Sequence, residues 1–377
     1  MPPIAEVGGL LTIDLGAFAA NWRVLRDRAA PAHCAAVVKA DAYGIGLEPA
    51  VRALAQAGCK TFFVAHLSEA FRARKQAPEA TIYVLNSLLP GTAPTYPREN
   101  LRPVLGSRDE IEEWAAFCRS ARRRLPAAIH VDTGMNRLGL SQTEALALAG
   151  SSGLADFEPV LLMSHFVGAE DPENPINARQ SAAFNEVRRA FPGVPASLCN
   201  SSGIFLPHAP LHDLVRPGYA LYGGNPTPGG SNPMQAVVRL EGRIVQLREV
   251  RGGERVGYNA QWTASGKCRL ATISVGYADG YLRSASGTDA KRQSRTPSGE
   301  AIVAGRRCAL AGRISMDLIS LDVTEVPTGA IRRGDPVTLI GDDLTLDEVA
   351  LHAGTIGYEI LTSLGRRYAR SYVGGLG

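Results

Sequence analysis

The stretch "VVKADAYGIG" (37–46) runs from an apolar segment into a lysine and then into a loop with two glycines. The chain has 40 lysines and arginines in total, and only five are lysines: Lys39, Lys60, Lys75, Lys267 and Lys291. A lysine can lose its proton and act as a nucleophile or a base, whereas arginine remains charged. Lys39 is therefore a candidate for chemistry. The alternative is a strand-end lysine that reaches solvent, and this stretch alone favours the alternative.

The segment before Lys39 is the first of eight short apolar runs in the first 220 residues. Amphipathic helical stretches separate most of them, such as 107–120, which begins with a capping-box pattern at Ser107 and Glu110. Near-continuous apolar strands that alternate with helices predict parallel strands covered on both faces. Eight such units predict an N-terminal (β/α)8, TIM-like barrel in residues 1–230. The runs are "CAAVVK" (34–39), "TFFVA" (61–65), "TIYVL" (81–85), "LRPVL" (101–105), "AAIHV" (127–131), "PVLLMSH" (159–165), "ASLCN" (196–200) and "HDLVR" (212–216).

The pattern changes at "YGGNPTPGGSNP" (222–233), a Gly/Pro-rich stretch that is typical of a linker. Beyond it, alternating strands such as "AVVRLEGRIVQLREV" and "LISLDVT" occur without regular helices between them. This pattern predicts a mainly antiparallel β-strand domain in residues 231–377.

Composition limits the class of protein. The 377 residues are 45% hydrophobic and 20% charged, with a net charge of +4, which fits a soluble globular protein of two domains. Basic residues cluster only briefly, so we expect no nucleic-acid partner. No apolar run reaches membrane-spanning length and the start lacks a signal-peptide pattern, so we expect a cytoplasmic protein without membrane partners. Six scattered cysteines without C-x-x-C spacing predict free thiols and no metal site.

Unusual residues follow the ends of the predicted strands, which is where a barrel of this type carries its active site. Each has an ordinary alternative: a core histidine, a helix cap or a surface cation. "NSSG" (200–203) follows strand seven, and the loops after strands seven and eight form the usual phosphate site of such barrels. A phosphate site opposite a lone strand-end lysine suggests pyridoxal phosphate, which needs an amine and a phosphate anchor. The strand-end residues are Lys39, Asp132, Arg137, His165, Asn200, Ser201, Arg216 and Gly218.

Nine motifs, in matching order over nearly the whole length, make the chain resemble the alanine racemase family of fold-type III pyridoxal-phosphate enzymes. The resemblance implies an isomerase that interconverts L- and D-alanine through a cofactor aldimine and a carbanion, for peptidoglycan synthesis or for D-alanine catabolism. It also implies a homodimer with shared active sites. The motifs are "VVKADAYGIG", "HVDTGMNRLGL", "SHF", "NSSG", "VRPGYALYG", "ERVGYNAQWTA", "SVGYADGYLR", "GRISMDLISLDVT" and "TIGYEILTSLGRRY".

The same resemblance assigns roles to individual residues. Lys39 corresponds to the lysine that binds the cofactor and handles the α-proton of the D-enantiomer, and Tyr258 to the opposing base for the L-enantiomer. Two bases on opposite faces are what racemisation requires. Arg216 corresponds to the arginine that faces the pyridine nitrogen. The other expected cofactor contacts are Tyr43, Arg137, His165, Asn200, Ser201, Gly218, Tyr219 and Tyr358.

For the substrate, the resemblance implies that Arg137 and the backbone N–H of Met316 bind the carboxylate, while Tyr277 and Asp317 shape the entrance. Three positions depart from the family pattern. His130 replaces a lysine that many members carbamylate to orient the arginine, so we expect Asp132 or a bound anion to hold Arg137 instead. Ile45 replaces a common histidine, and Gly357 a common asparagine beside Tyr358.

Three other functions remain open from the sequence. A racemase of the same fold with broader specificity, for example for serine, would differ at the entrance. A decarboxylase of the same fold type is disfavoured by Tyr258 and "SMDLISLDVT". A non-catalytic pyridoxal-phosphate-binding protein is disfavoured by the whole second domain, since such relatives consist of the barrel alone.

Overall fold

The structure, a computed structural model, describes residues 6–375. The chain opens with the strand β1 (Gly9–Asp14) and the helix α1 (Leu15–Ala29), whose first turn is capped because Asp14 accepts the N–H of Ala17 at 2.9 Å. The strand β1 lies outside the barrel. It pairs antiparallel with residues 238–242 and parallel with residues 369–373, both from the far end of the chain.

Eight parallel strands follow and curl into a barrel, which confirms the predicted fold class. The first strand is split into β2 and β3, and β10 pairs in parallel with β2. The gap between β9 and β10 is bridged by hydrogen bonds from Asp213 N–H to Ala196 O and from Arg216 N–H to Cys199 O. The strands are β2 (His33–Cys34), β3 (Ala36–Val37), β4 (Thr61–Val64), β5 (Thr81–Val84), β6 (Arg102–Leu105), β7 (Pro126–His130), β8 (Glu158–Met163), β9 (Ala196–Ser197) and β10 (Leu214–Val215).

Helices cover the outside of this barrel. In the helix Arg108–Ala121, Ser107 accepts the N–H of Glu110 at 3.3 Å, and the residues at helical spacing, among them Trp114, are buried against the strands. The barrel helices after α1 are α2 (Leu47–Ala57), α3 (Leu67–Gln76), α4 (Thr95–Arg98), α5 (Arg108–Ala121), α6 (Gln142–Ala149) and α7 (Ile176–Arg189).

The second domain is a mostly antiparallel sheet built around the long strand Val238–Val250. Its strands are β11 (Val238–Val250), β12 (Arg255–Val256), β13 (Trp262–Thr263), β14 (Cys268–Ile273), β15 (Glu300–Val303), β16 (Arg306–Ala309), β17 (Ile319–Asp322), β18 (Pro336–Ile340) and β19 (Ala369–Val373). Its helices are α8 (Asp289–Ser294), α9 (Leu346–Ala353) and α10 (Gly357–Ser363).

The division predicted at residue 230 needs one amendment. Because β1 is hydrogen-bonded to β11 and β19, the first strand belongs to the sheet of the second domain although it precedes the barrel in sequence. In the part of the chain that the structure describes, no helix has both the length and the hydropathy to cross a bilayer. All six cysteines are free and buried.

Candidate active site

The carboxyl ends of the parallel strands bring five basic side chains together at one mouth of the barrel: Lys39, His130, Arg137, His165 and Arg216. They lie near enough to perturb one another's protonation. Burial, and then the charge of Arg137, lowers the pKa of the Lys39 amine. A lysine with a lowered pKa is deprotonated more often at neutral pH, and only the neutral amine is a nucleophile. The positive charge at this mouth favours the binding of an anionic ligand.

Lys39 is followed by a left-handed turn rather than by an ordinary helix. Ala40, Asp41, Ala42 and Tyr43 have φ values of 54°, 55°, 53° and 50°. The left-handed conformation costs roughly 1–2 kcal/mol for each residue that carries a Cβ atom, so four such residues in succession need support from the surrounding structure.

Glu69 provides part of that support. Its carboxylate accepts the N–H of Asp41 at 3.2 Å and the N–H of Ala65 at 2.8 Å, which ties the turn to the loop after β4. The Asp41 carboxylate in turn lies 2.6 Å from a nitrogen of Arg72, and the same guanidinium is 2.6 Å from Glu48. The turn that carries Lys39 at one end and Tyr43 at the other is therefore held by ionised groups on α2 and α3.

The loops after β9 and β10 form a corner rich in hydrogen-bond donors. The Ser201 hydroxyl accepts the N–H groups of Gly218 at 3.0 Å and Ala220 at 3.2 Å, and Asn200 accepts the N–H of Gly203 at 2.9 Å. A Cβ atom on Gly218 would lie 2.3 Å from the Tyr43 hydroxyl, so a side chain there would fill the corner. Because the Ser201 oxygen accepts both of these bonds, its own O–H remains able to donate, and a hydroxyl donor beside the Tyr43 hydroxyl suits a phosphate.

Four tyrosines surround this corner. The rings of Tyr43 and Tyr222 stack with centroids 4.4 Å apart, and those of Tyr219 and Tyr358 stack at 4.2 Å. Tyr358 lies on α10, so the second domain of the same chain closes the corner. Burial raises the pKa of the Tyr43 and Tyr358 phenols, so both remain protonated and can donate a hydrogen bond to an anion.

Arg216 is almost fully buried at 3% exposure. Its guanidinium donates to the Ser164 carbonyl at 2.5 Å and to the Ser197 hydroxyl, and it lies 3.4 Å from Nδ1 of His165. Burial lowers the pKa of Arg216 to about 10, so the group stays charged at neutral pH. Burial and then Arg216 lower the pKa of His165 to about 3. Since a guanidinium cannot accept, Nδ1 of the neutral His165 is the acceptor and its proton is on Nε2.

Arg137 is not held by Asp132, and that expectation was wrong. One oxygen of the Asp132 carboxylate accepts the N–H groups of Gly134 at 2.7 Å and Met135 at 2.8 Å. Arg137 is exposed and makes no hydrogen bond or ion pair with any residue in the range 6–375. Burial and then Arg216 lower the pKa of His130 to about 4, so this residue is neutral beside the arginines. A bound anion as the partner of Arg137 stays a prediction.

The remaining predicted residues lie in the second domain. Tyr258, on the loop between β12 and β13, is 65% exposed, Tyr277 is 41% exposed and Met316 is 53% exposed. Ala278 N–H donates to the Met316 carbonyl at 2.9 Å, so the last two share one surface, and Asp317 pairs with Arg367 at 2.9 Å. Within the described part of one chain, no hydrogen bond, ion pair or ring contact joins Tyr258 to Lys39.

Several residues that build the site escaped the sequence analysis. Glu69, Ser164, Ser197 and Asp347 each hold a residue that was predicted. Of these, Glu69 could have been noticed in the sequence, because a glutamate three residues after the position that precedes a helix, here His66, is typical of a capping box. The serines and Asp347 left none, since their partners are distant in sequence.

Comparisons with known proteins identify the family of the chain. The model of the alanine racemase N-terminal domain matches residues 13–226, and that of the alanine racemase C-terminal domain matches residues 237–372. Alanine racemases of Methylobacterium nodulans and Rhizobium meliloti are 62% and 46% identical to the chain, and the matches cover 100% and 99% of it and 99% of each relative. The crystal structure of alanine racemase from Bartonella henselae with covalently bound pyridoxal phosphate is 38% identical, with a TM-score of 0.91, over 98% of this chain and 100% of that one.

Proposed function

The chain belongs to the alanine racemase family, whose members are isomerases that use pyridoxal phosphate, and we propose that Lys39 and Tyr258 are the two bases of its reaction. The reaction is the interconversion of L-alanine and D-alanine. The observation that carries this assignment is the barrel mouth, where a lysine of lowered pKa lies among cations near a phosphate-type corner.

The residues at the barrel mouth fit the cofactor. Lys39 would hold it covalently, and Ser201, Tyr43 and Tyr358 would hold its phosphate beside the Gly218 loop, whose N–H groups orient the Ser201 hydroxyl. Asn200 supports that loop as a cap, and the neutral His165 is available to pack against the ring. When bound, pyridoxal phosphate withdraws electrons from the amino acid and makes its α-proton acidic.

Inversion at the α-carbon requires that a proton leaves one face and another arrives on the opposite face. We assign the D-enantiomer's proton to the Lys39 amine and the L-enantiomer's proton to the Tyr258 hydroxyl. Arg216 would face the ring nitrogen of the cofactor. Because it stays charged and can only donate, it would leave that nitrogen without a proton and would limit how far the cofactor withdraws electrons.

Substrate binding is assigned to both domains. The exposed guanidinium of Arg137 is free to pair with a carboxylate, and the Met316 N–H forms no hydrogen bond within the described residues. Tyr277 and Asp317 lie beside Met316 and would shape the entrance. The small-molecule substrate would therefore meet the barrel on one side and the surface of a β domain on the other.

The exposure of the second base supports a homodimer with shared sites. Tyr258, Tyr277, Met316 and Leu318 are all more than 40% exposed, although large apolar side chains are usually covered. A head-to-tail dimer would place this surface over the barrel mouth of the partner. A cytoplasmic location is supported by the six free buried cysteines, which are typical of reducing compartments.

To test this function, purified protein is incubated separately with L-alanine, L-serine and L-arginine. Chiral chromatography then measures how much of each amino acid has become the D-enantiomer. We expect D-alanine from the native protein and none from the Lys39→Ala variant. A reduced cofactor adduct located by mass spectrometry on Lys39 would support the site, whereas an adduct on another lysine would contradict it. Turnover of serine in preference to alanine would favour the broader racemase.

A further inference from the structure

The side chain of Tyr219 occupies a slot that two glycines leave open. A Cβ atom on Gly224 would lie 2.1 Å from the Tyr219 ring, and one on Gly357 would lie 1.7 Å from its hydroxyl oxygen. Neither glycine has a φ in the left-handed region, so backbone conformation does not require glycine at either position. The space that Tyr219 fills explains both glycines, including Gly357, where the family commonly has asparagine.

The far end of the Tyr219 side chain is fixed by a carboxylate. Its hydroxyl donates to Asp347, in the first turn of α9, at 2.7 Å, and the other oxygen of Asp347 accepts the N–H of Asn225 at 3.0 Å. Burial, and then the charge of Asp347, raises the pKa of Tyr219, which keeps the phenol protonated as the donor. The ring is thus held at its base by the barrel loop and at its hydroxyl by the second domain.

This fixed ring packs flat against Tyr358, with centroids 4.2 Å apart and planes 13° apart. Tyr358 also contacts Tyr43, whose centroid lies 5.9 Å away. Tyr219 is 6% exposed and has no free polar atom directed toward the barrel mouth, because its only hydroxyl is bound to Asp347. Its side chain can therefore affect the phosphate-type corner only through its neighbours.

We propose that the side chain of Tyr219 is a positioning residue that holds the Tyr358 phenol at the phosphate end of the cofactor. This inference rests on the proposed function and adds to it: Tyr219 was expected only as a contact of the cofactor, whereas the proposal gives its side chain a task at Tyr358. It also pairs two positions of the sequence: the tyrosine at 219 requires the glycine at 357.

Retention of the cofactor tests this role. Holoenzyme is equilibrated against a dilution series of pyridoxal phosphate, and the bound fraction is read from its absorbance. Tyr219→Leu removes the ring stack, and we expect affinity for pyridoxal phosphate to fall about tenfold. Affinity for pyridoxal, which lacks the phosphate, should change less than about twofold. The control Tyr96→Phe, which removes a tyrosine hydroxyl that donates to the Ser87 carbonyl and contacts no predicted site residue by hydrogen bond, should change neither.

A double-variant comparison separates positioning from general damage. If Tyr219 acts by placing the Tyr358 hydroxyl, the Tyr219→Leu change should add nothing in a Tyr358→Phe background. Gly357→Ala keeps the tyrosine at position 219 but moves its side chain, because the new methyl group would overlap the Tyr219 hydroxyl. It should cause the same phosphate-selective loss, and in a Tyr219→Leu background it should cause no further loss.

Equal losses for pyridoxal phosphate and pyridoxal, additive effects in the double variants, or an unchanged Tyr219→Leu affinity would each overturn the inference. If Tyr219→Leu fails to fold, the Gly357→Ala result decides alone. A native protein that retains no pyridoxal phosphate would refute the proposed function itself, so the two failures are distinguishable.

Discussion

Buried charge defines the chemistry of individual residues at the barrel mouth. Arg216 keeps its proton although it is almost fully buried, because the Ser164 carbonyl and the Ser197 hydroxyl replace the water it has lost. The histidines beside it are neutral because burial, and then the charge of Arg216, lowers the pKa of both His130 and His165.

Replacement of Arg216 tests its effect on the cofactor. Arg216→Glu would let the ring nitrogen hold a proton, which makes the cofactor a stronger electron sink. We expect racemisation to fall by at least about a hundredfold and conversion of the cofactor to its pyridoxamine form to rise, as measured by chiral chromatography and absorbance. Arg216→Lys, which keeps the cation, should lose activity without that rise. Loss of racemisation in Arg216→Glu with no added pyridoxamine would count against the role assigned here.

His130 predicts indifference to carbon dioxide. Histidine has no amine that could form a stable carbamate, so we expect no carbamylated side chain at this position. Activity should be unchanged after degassing and bicarbonate depletion. His130→Lys, the matched gain-of-function variant, should acquire a carbamate that labelled bicarbonate reveals by NMR. Bicarbonate dependence in the native enzyme would show that this account of His130 is wrong.

The lowered pKa of the two histidines also predicts a pH dependence of stability. In the unfolded chain a histidine titrates near 6.5, whereas His130 and His165 titrate at about 4 and about 3 in the folded protein. Between these values the unfolded state binds more protons, so the free energy of unfolding should fall as the pH falls below about 6.5. Urea unfolding at pH 7 and pH 5 checks this. His130→Asn should lose less stability over that interval than the native protein does.

At the scale of elements, the left-handed turn after Lys39 depends on tertiary support. Glu69→Ala removes the acceptor for the Asp41 and Ala65 N–H groups, and we expect activity to fall about tenfold or more as Lys39 is misplaced. Glu69→Gln keeps an acceptor and should recover part of the activity. A shift in the pH dependence of cofactor absorbance should accompany the loss, because Glu69 also raises the pKa of Lys39. An unchanged profile in Glu69→Ala would limit this residue to a structural role.

The same turn shows where prediction from sequence stops. Every one of the eight apolar runs overlaps an observed parallel strand, because strands that are covered on both faces are mostly apolar. "ADAY" gave no sign of left-handed backbone, because none of its residues is glycine or asparagine and Glu69 lies 28 positions beyond Asp41. The strand β1 was assigned to the barrel for a similar reason, as its partners come more than 200 residues later. Local pattern predicts local structure, and these features are set by distant contacts.

For the whole molecule, the site residues were predictable where the barrel itself brings them together. Lys39, His165 and Arg216 lie far apart in sequence, but each follows a strand, and all strands of a parallel barrel end at one mouth. Residues such as Tyr258 follow no such rule. Their place relative to the barrel depends on how two domains, or two chains, meet.

Mixing two inactive variants tests whether each active site is shared between chains. Lys39→Ala removes the proton acceptor that the barrel supplies, and Tyr258→Phe removes the one that the β domain supplies. Neither homodimer should therefore have appreciable activity. Tyr258 is exposed and forms no hydrogen bond, ion pair or ring contact with the Lys39 of its own chain within the described residues, which favours a base supplied by the partner. In a heterodimer one site would then carry both changes, while the other would combine an intact barrel with an intact β domain. That second site should work normally, so subunit exchange should restore up to half of the native activity per heterodimer. If both bases came from one chain, every site in the mixture would carry one change, and proven heterodimers would stay inactive.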